Sequence, residues 1–271
     1  MSQTQRIIKY IAVAFAWALI FSIFSTLAVG MIGISYIFSD EEISENLEIV
    51  ETSGNMTNLD ISVSSVHILF QEGDTFKIET NNKGLKVQEN NDKLEIEEKG
   101  LNIFKNKKVS NLVITFPTDF VCDKIYLESG AGKVIIEDLS VKDLSLDLGA
   151  GKVEIDSLTV LSELDVDGGA GNILIKDSKI NNLDLDMGVG EIEITSKLTG
   201  DSKIDAGVGK IKCRLIGTED DYRIRLEKGV GNVTIQEEKA TGGTIKYGNG
   251  NSYLEIDGGV GNIDIKFETE A

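Results

Sequence analysis

The sequence has very little of what most catalytic and metal sites depend on. Among 271 residues there is one histidine, His67. A Ser-His-Asp triad or a histidine-based metal site would have to use it. His67 alternates with Val66 and Ile68 in a predicted strand, so we expect an ordinary outward-facing side chain. The chain is therefore expected to be non-enzymatic and to need no cofactor. A carbohydrate-active site built from two carboxylates is the least favoured alternative.

Proline and cysteine are nearly as scarce. The single proline, Pro117, together with 28 glycines, suits many hydrogen-bonded strands joined by tight corners. Of the two cysteines, Cys213 occupies an apolar position that the other repeats fill with isoleucine, and we interpret it as a small buried hydrophobe. A Cys122–Cys213 disulfide is compatible with a location outside the cell, but the sequence does not require one.

Basic residues are outnumbered by acidic ones. The chain has 27 Lys and Arg against 45 Asp and Glu, a net charge of −18. Residues 1–39 carry only Arg6 and Lys9, so the remainder has 27 − 2 = 25 basic and 45 acidic residues, or −20. Nucleic-acid binding, which requires clustered Lys and Arg, is excluded as a function. Cations, cationic peptides and basic protein surfaces are the partners that this charge favours.

One long segment has no charge at all. From Tyr10 to Ser39 there is no ionisable side chain of either sign except the tyrosines. A helix over this segment exceeds the ~30 Å hydrocarbon core of a bilayer. We predict a transmembrane helix over 10–39. A cleavable signal peptide is the less favoured alternative, because the apolar run is about twice the usual length and lacks a clear cleavage site. Because Arg6 and Lys9 precede it, the positive-inside rule places a short N-terminus, 1–9, in the cytoplasm and the rest outside the cytoplasm. The protein is expected in the cell membrane as a single-pass protein.

After the predicted helix, the pattern changes to short strands. Residues 40–60 are interpreted as a polar connector. Residues 61–120 contain period-two runs such as Leu94-Glu95-Ile96, separated by polar turns such as Asn81-Asn82-Lys83-Gly84. This segment lacks the glycine motif described next, so it is predicted to be a β-rich N-terminal cap, and Pro117 is predicted to end its last strand.

Residues 121–271 repeat one motif, Gly-Ala/Val-Gly followed by Lys, Asn or Glu and alternating apolar residues. The first five copies, which begin at Gly130, are spaced 19, 20, 19 and 19 residues apart, and a degraded copy is Gly248-Asn249-Gly250. A fixed period near twenty predicts a stack of structural units. We predict an all-β fold, a parallel β-solenoid with rungs of about 19–20 residues and a length of roughly 40 Å at ~4.8 Å per rung.

The glycines are interpreted as structural corners between two strands of a rung, with the intervening Ala or Val pointing inward. They are not a phosphate cradle, because no helix follows them. They are not a calcium nonapeptide either, because Ile173 and Ile263 stand where that motif needs Asp. The corner glycines are Gly130, Gly132, Gly149, Gly151, Gly169, Gly171, Gly188, Gly190, Gly207, Gly209, Gly229, Gly231, Gly259 and Gly261.

The residue two positions before each motif is acidic in all but the degraded copy, which has Lys246 there. If the rungs stack in register, these residues form a column of like charges about 5 Å apart. The candidate metal site is a cation-binding ladder made of Asp147, Asp167, Asp186, Asp205 and Glu227. We favour the alternative, a solvated strand face balanced by Lys133, Lys152 and Lys210.

The repeat spacing stretches to 22 residues around the insertion 217–221. Repeat insertions often mark a binding face. Arg214, Arg223 and Arg225 flank this insertion and are expected to pair with neighbouring acids.

These features together resemble the bacterial "putative adhesin" β-strand-repeat proteins, a domain of unknown function of the DUF4097 type. The resemblance depends on the membrane helix, Leu94-Glu95-Ile96, Ile114-Thr115-Phe116-Pro117 and the Gly-Ala/Val-Gly rungs, and it covers Leu47 to the C-terminus. It implies a membrane-anchored extracytoplasmic β-helix for surface binding or adhesion, with an envelope-stress accessory as the alternative. It brings no catalytic residues. The expected partners are the membrane and a cell-envelope protein, a glycan or a cationic peptide, while the oligomeric state is left open.

Overall fold

The computed structural model describes residues 46–53, 56–99 and 110–269, and this part of the chain is all-β. The predicted cytoplasmic segment 1–9 and membrane helix 10–39 lie outside the described residues. Where the structure is described, it contains no helix with the length and apolar character needed to cross a bilayer. The strands are β1 Glu48–Val50, β2 Asn58–Gly73, β3 Lys77–Thr80, β4 Leu85–Asn90, β5 Lys93–Glu98, β6 Ser110–Pro117, β7 Val121–Ile136, β8 Leu139–Ile155, β9 Leu158–Asn181, β10 Leu183–Thr199, β11 Asp201–Ile216, β12 Tyr222–Val230, β13 Val233–Ile235, β14 Glu238–Ala240, β15 Thr244–Tyr247 and β16 Ser252–Glu268.

The repeats form a parallel stack, which confirms the predicted solenoid. Strands β7 to β11 pair with their neighbours in sequence order, so that Gly132, Gly151, Gly171, Gly190 and Gly209 lie level with one another. Apolar and polar residues alternate in the sequence because each strand has one buried face and one outward face. In β8, for example, the apolar residues of the alternating runs are buried, and the polar residues between them face outward.

The glycines are required because successive rungs touch backbone to backbone at this position. A Cβ atom on Gly151 would lie 2.0 Å from the carbonyl oxygen of Gly132, and one on Gly149 would lie 2.5 Å from that of Gly130. The residue between the two glycines points outward, contrary to the sequence-based expectation. Where it is valine it is about half exposed or more, and the inward-pointing side chain is that of the residue before the first glycine, such as Met187 or Ala206.

At the C-terminal end, the stacking order departs from the chain order. Strand β16 lies between β11 and β12, and it is parallel to both. Val260 therefore pairs with Val208 on one side and with Val230 on the other. The last complete copy of the motif is inserted between two copies that precede it in the sequence.

The predicted degraded corner at Gly248–Gly250 is wrong. Strand β15, which precedes it, pairs antiparallel with β12 and so covers the end of the stack rather than adding a rung. Gly250 lies against the backbone of Asp221 and Tyr222, where a Cβ would approach within 2.2 Å of both residues.

The stack begins before the first glycine motif. Strand β2 is parallel to β7, with Ser65 level with Ala131, although β2 has no glycines there. The two halves of β2 pair on their other side with β5 and β6, which together make one further rung. Strand pairing thus starts at Glu48 and the first rung strand of the chain at Asn58, both inside the segment interpreted as a connector, and residues 61–120 contribute rungs as well as a cap. The described residues give nine rungs in the order β5/β6, β2, β7, β8, β9, β10, β11, β16 and β12/β13.

Antiparallel hairpins cover both ends of the stack. Strands β4, β3 and β1 cover the first rung, whereas β15 and β14 cover the last. Aromatic rings close the apolar interior behind them. At the first end Phe116 stacks with Phe70 and with Phe120, with ring centroids 6.3 and 5.8 Å apart, and at the other end Phe267 packs against Tyr222 and Tyr247 at 5.8 and 5.9 Å. Covered ends prevent edge-to-edge pairing with other chains.

The single histidine and the two cysteines are buried and contribute to the packing of the fold. His67 is buried, not outward-facing as expected, and its Nδ1 accepts a hydrogen bond from the backbone N–H of Lys133 at 3.0 Å. Cys122 and Cys213 are both buried and free, so they form no disulfide. Burial raises the pKa of each thiol to about 12, which keeps both protonated and unreactive at neutral pH.

Candidate functional site: an acidic groove along the solenoid

The acidic residues that precede the glycines form a continuous column. Parallel pairing places each of them level with the next, in the order Glu128, Asp147, Asp167, Asp186, Asp205, Asp257 and Glu227. Because β16 is inserted, Asp257 lies between Asp205 and Glu227. Neighbouring carboxylates are therefore about 4.8 Å apart along the stack axis.

An open groove of about 970 Å³ runs beside this column across six rungs, from β8 to β12. Its floor includes the first glycine of each of these six rungs, which has no side chain to fill the space. The lining consists of the acidic column, the residue that follows each acid and the first glycines, namely Asp147, Leu148, Gly149, Asp167, Gly168, Gly169, Asp186, Met187, Gly188, Asp205, Ala206, Gly207, Glu227, Lys228, Gly229, Asp257, Gly258 and Gly259.

Positive charge balances only one end of the groove. Lys203 contacts Asp205 at 2.6 Å, and Arg225 contacts both Glu227 and Glu255. At the other end, neither Asp147 nor Asp167 has a salt bridge to a described lysine or arginine. A second outward column on the same strands adds Asp165 and Asp184, which lie level with each other. The region of β8 to β10 is therefore the most negative part of the groove.

The lysines expected to balance the column lie elsewhere. Lys133 and Lys152 both pair with Glu154, and Lys210 pairs with Glu191 at 3.7 Å. All of these residues follow the glycines and belong to a different face of the rung. The predicted balance of the acidic column by Lys133, Lys152 and Lys210 is wrong.

The pKa values of the carboxyl groups respond to this crowding. Partial burial raises the pKa of Asp165, and the charges of Asp167 and Asp184 raise it further. The pKa of Asp186 is raised by burial and by its hydrogen bond with Asp205. That of Asp257 is raised by burial and by the charges of Asp205 and Glu227. Each shift means that ionising the carboxyl group costs more in the fold than in water.

Two carboxylate oxygens of the groove have no hydrogen-bond donor. Oδ1 of Asp205 and Oδ1 of Asp257, on adjacent rungs, are shielded from solvent and accept no hydrogen bond from the described residues. Such acceptors are costly to leave unsatisfied. Within the described ranges, no three histidine, cysteine, aspartate or glutamate side chains are arranged to hold a metal ion. The column offers single carboxylates in a row rather than a convergent cage.

The insertion 217–221 folds on itself. It forms a short 3-10 turn over Glu219–Asp221, and Oδ2 of Asp221 accepts hydrogen bonds from the backbone N–H and the hydroxyl of Thr218 at 2.7 and 2.9 Å. Arg214 and Arg225 pair with acids as expected, since Arg214 contacts Glu193 at 2.9 Å. Arg223 instead lies over the ring of Tyr253 at 5.0 Å.

A ladder of exposed valines lies at the corners of four rungs, and sequence reasoning missed it. Val189, Val208, Val260 and Val230 each come directly after a first glycine, and they lie level with one another on four successive rungs. They are 49, 49, 51 and 73% exposed, respectively. We call these four residues the valine ladder. The paired glycines could have revealed it, because they imply that the backbones of two rungs touch at the corner and leave no space inside for a valine side chain.

Comparison with known families identifies the class of protein that this fold defines. The family model described as Toastrack DUF4097 matches residues 39–263. The chain belongs to the Toastrack DUF4097 family.

The solved structures that resemble the chain include three bacterial proteins. A "putative cell adhesion protein" from Clostridium sporogenes is 21% identical, with 84% of this chain and 100% of that chain covered and a TM-score of 0.39. A "putative adhesin" from Bacteroides fragilis is 19% identical, with 82% and 98% covered and a TM-score of 0.41. One from Parabacteroides merdae is 12% identical, with 82% and 97% covered and a TM-score of 0.34. A search of curated proteins finds no significant match.

Proposed function

We propose that this chain is a non-enzymatic binding protein that is anchored in the cell membrane and displays its β-solenoid outside the cytoplasm. The observation that carries the binding role is the in-register acidic column beside an open groove. A column of like charges lowers stability. After the glycines, β10 and β11 instead place opposite charges level with each other, as Glu193 and Lys212 at 3.2 Å show. The presence of an unbalanced column on the same rungs supports a role in binding.

The anchor is inferred from the uncharged segment 10–39 and from the basic residues before it. Such a segment is long enough to span a bilayer, and its basic flank favours the cytoplasmic side. A periplasm-active or surface-active reporter enzyme fused after Ala271 should be active, and a cytoplasm-active reporter at the same site should be inactive. The opposite pattern would contradict the proposed topology.

The binding role is tested with the full-length chain in a non-ionic detergent. The chain is screened against glycans, divalent ions and cationic peptides at low and at ~0.15 M salt. Saturable binding of at least one class supports the proposal, whereas no binding of any class at low salt contradicts it.

A second candidate function is that of an accessory in the envelope-stress response, which would capture cationic peptides. The specific observation that favours it is that, among the described residues, Asp147 and Asp167 have no basic partner in the most negative part of the groove. Peptide capture should weaken steeply with salt, because exposed charges are screened over ~8 Å at physiological ionic strength. Peptide binding that is unchanged between low and high salt would count against this function.

A further inference from the structure

Another cavity opens on the first three rungs of the solenoid, away from the acidic groove. Its volume is about 440 Å³, within the range of about 300–1,000 Å³ that ligand pockets occupy. We call it the first-rung pocket. None of its lining residues lines the acidic groove. The lining consists of Leu59 and of six polar or aromatic residues, namely Asn58, Asp60, Asp92, Lys93, Lys124 and Tyr126.

Parallel strand pairing fixes the positions of the residues in this pocket. Strands β5, β2 and β7 lie side by side, and their residues stand in two level rows, Lys93–Asn58–Lys124 and Glu95–Asp60–Tyr126. Because neighbouring strands are about 4.8 Å apart, each row extends about 10 Å across the three rungs. Strands hold polar groups more precisely than loops do, so most of the pocket is preformed.

The charges of the first-rung pocket cancel one another. Its lining has two lysines, Lys93 and Lys124, and two aspartates, Asp60 and Asp92, so its formal charge is 2 − 2 = 0 in a chain with a net charge of −18. The aspartates disfavour an anionic ligand, and the lysines disfavour a cationic one. The pocket therefore favours an uncharged polar ligand, whereas the acidic groove favours cations.

Hydrogen-bonding groups remain available in the pocket. Nζ of Lys93 donates to Oδ2 of Asp60 and to Oε1 of Glu95, both at 2.8 Å, which uses two of its three N–H donors. Within the described ranges, the hydroxyl of Tyr126 makes no hydrogen bond and the ammonium group of Lys124 makes no ion pair. A ligand hydroxyl can both donate and accept a hydrogen bond, so it complements the lysine donors and the aspartate acceptor together.

Tyr126 adds an aromatic ring to this polar pocket, and its side chain is partly exposed. The face of an aromatic ring is negative and attracts weakly positive C–H groups. A pyranose sugar presents C–H groups on one face of its ring and hydroxyl groups at its rim. We infer that the first-rung pocket binds a neutral sugar residue, with one ring face on Tyr126 and hydroxyl groups on Asp60 and Lys93. This site goes beyond the proposed function, because it uses rungs outside the acidic groove and takes an uncharged ligand.

The test measures sugar binding by saturation-transfer difference NMR. The full-length chain is kept in a polyoxyethylene detergent, whose headgroup contains no sugar, and is mixed with the methyl glycosides of glucose, galactose, mannose and N-acetylglucosamine. At least one glycoside should receive saturation, most strongly at the C–H groups of one ring face. Binding should be unchanged between low and ~0.15 M salt, because an uncharged ligand has no charge to screen. If none of the four glycosides receives saturation, the inference is overturned.

Substitutions of tyrosine test the location. Tyr126→Ala should weaken binding about tenfold, the upper range for one aromatic contact, and Tyr126→Phe should bind better than Tyr126→Ala because it keeps the ring. The matched control is Tyr253→Ala, which removes another partly exposed tyrosine outside the pocket and should leave binding unchanged. If Tyr126→Ala and Tyr253→Ala bind the glycoside equally well, the sugar binds elsewhere and the inference is wrong. Circular dichroism of every variant verifies that the fold is retained.

A zwitterion is the competing occupant, because Lys124 and Asp92 carry the two charges that would hold it. If the dipeptide alanyl-alanine binds with saturation and Lys124→Met abolishes this binding, while no glycoside binds, the pocket is a zwitterion site and the inference is overturned.

The acidic groove and the first-rung pocket can be tested independently. Asp147→Asn/Asp167→Asn changes only the groove and should leave glycoside binding unchanged. Loss of glycoside binding in this variant, with the fold retained, would contradict the assignment of the sugar to the first-rung pocket. If the wild-type chain binds a glycoside through Tyr126 but binds no cation or cationic peptide, the role proposed for the groove is refuted and the sugar site is supported.

Discussion

The stacked glycines provide the sharpest quantitative test of the fold. In Gly151→Ala the new Cβ would lie 2.0 Å from the carbonyl oxygen of Gly132, whereas real Cβ contacts are essentially never under 3.0 Å. The two rungs must therefore separate by at least 3.0 − 2.0 = 1.0 Å at this point. The obstacle is backbone held by the strand ladder, so no flexible side chain can move aside.

The expected cost follows from overpacking and from stretched ladder hydrogen bonds. Overpacking costs about 1–3 kcal/mol, and each weakened hydrogen bond costs about 1 kcal/mol. We expect Gly151→Ala to lower the free energy of unfolding by roughly 3 kcal/mol. At about 2–4 °C per kcal/mol for a domain of this size, Tm should fall by about 6–12 °C. Thermal and urea unfolding of the full-length chain, followed by circular dichroism of the strand signal, measures both quantities.

Two other glycines calibrate the experiment. A Cβ on Gly243 meets no heavy atom within 4 Å, so Gly243→Ala should change stability by less than about 0.5 kcal/mol. A Cβ on Gly168 would lie 2.8 Å from Sδ of Met187, the end of a flexible side chain, so Gly168→Ala should fall between the two. If Gly151→Ala and Gly243→Ala have equal stability, the close approach of the rungs does not explain the glycine motif.

Four further predictions concern charge, thiols and topology. Asp165→Asn should make the protein more stable at pH 7, because the pKa of Asp165 is raised in the folded state and wild-type stability falls as pH rises through that pKa. The gain over wild type should vanish below about pH 3.8. A gain that is independent of pH in urea titrations would contradict this prediction. Glu154→Gln should make the protein less stable at pH 7, because the two lysines that contact the Glu154 carboxylate outweigh the opposing effect of burial and lower its pKa. The variant should match wild type once pH falls below the pKa of Glu154 in the folded state, as urea titrations would show. Cys122 and Cys213 should resist iodoacetamide at pH 8 in the native state and react fully in urea, as mass spectrometry would show; rapid native labelling would refute their burial. Removal of 252–271 should destabilise the chain far more than the loss of a terminal strand would, because β16 has a neighbour on each side, and an unchanged Tm would rule out its insertion.

Much of the fold could be predicted because each rung repeats the same local conditions. Period-two alternation identifies the buried face of β8, and the spacing of the glycines identifies the unit that is stacked. Strand β2 was harder to assign as a rung, since Ser65 replaces the alanine of the motif and no glycine flanks it. Its pairing with β7 depends on burying the same apolar face, which the glycine pattern does not encode.

The order of the last rungs could not be predicted, because the motif is self-similar. Gly207, Gly229 and Gly259 each begin the same Gly-Val-Gly motif, so the motif does not decide which strands become neighbours. Gly248-Asn249-Gly250 imitated the motif in composition alone. Ser252 stands two positions after Gly250, where the motif has a branched aliphatic residue, and this difference could have excluded it as a corner.

The acidic column was predictable, but its counter-charges were not. Seven acids at a fixed distance from the glycines must align once the rungs stack in register. Whether Lys133 or Lys152 can reach them depends on the bend at the glycines, which turns these lysines toward Glu154. The same bend turns Val189 and Val208 outward, where an inward orientation was expected. In both cases the direction of a side chain at a corner depends on three-dimensional geometry that the alternation of a straight strand does not contain.

The insertion of β16 between β11 and β12 has a consequence for biosynthesis. A ribosome makes Tyr222–Val230 before Ser252–Glu268, so β12 leaves the ribosome while the strand that it will pair with in the native structure does not yet exist. Rungs up to β11 can add one after another onto β2 as they are made, because each finds its partner already in place. The final two rungs can form only together, after residue 268 has been synthesised, and until then β11 presents an open edge that chaperones or neighbouring chains can reach.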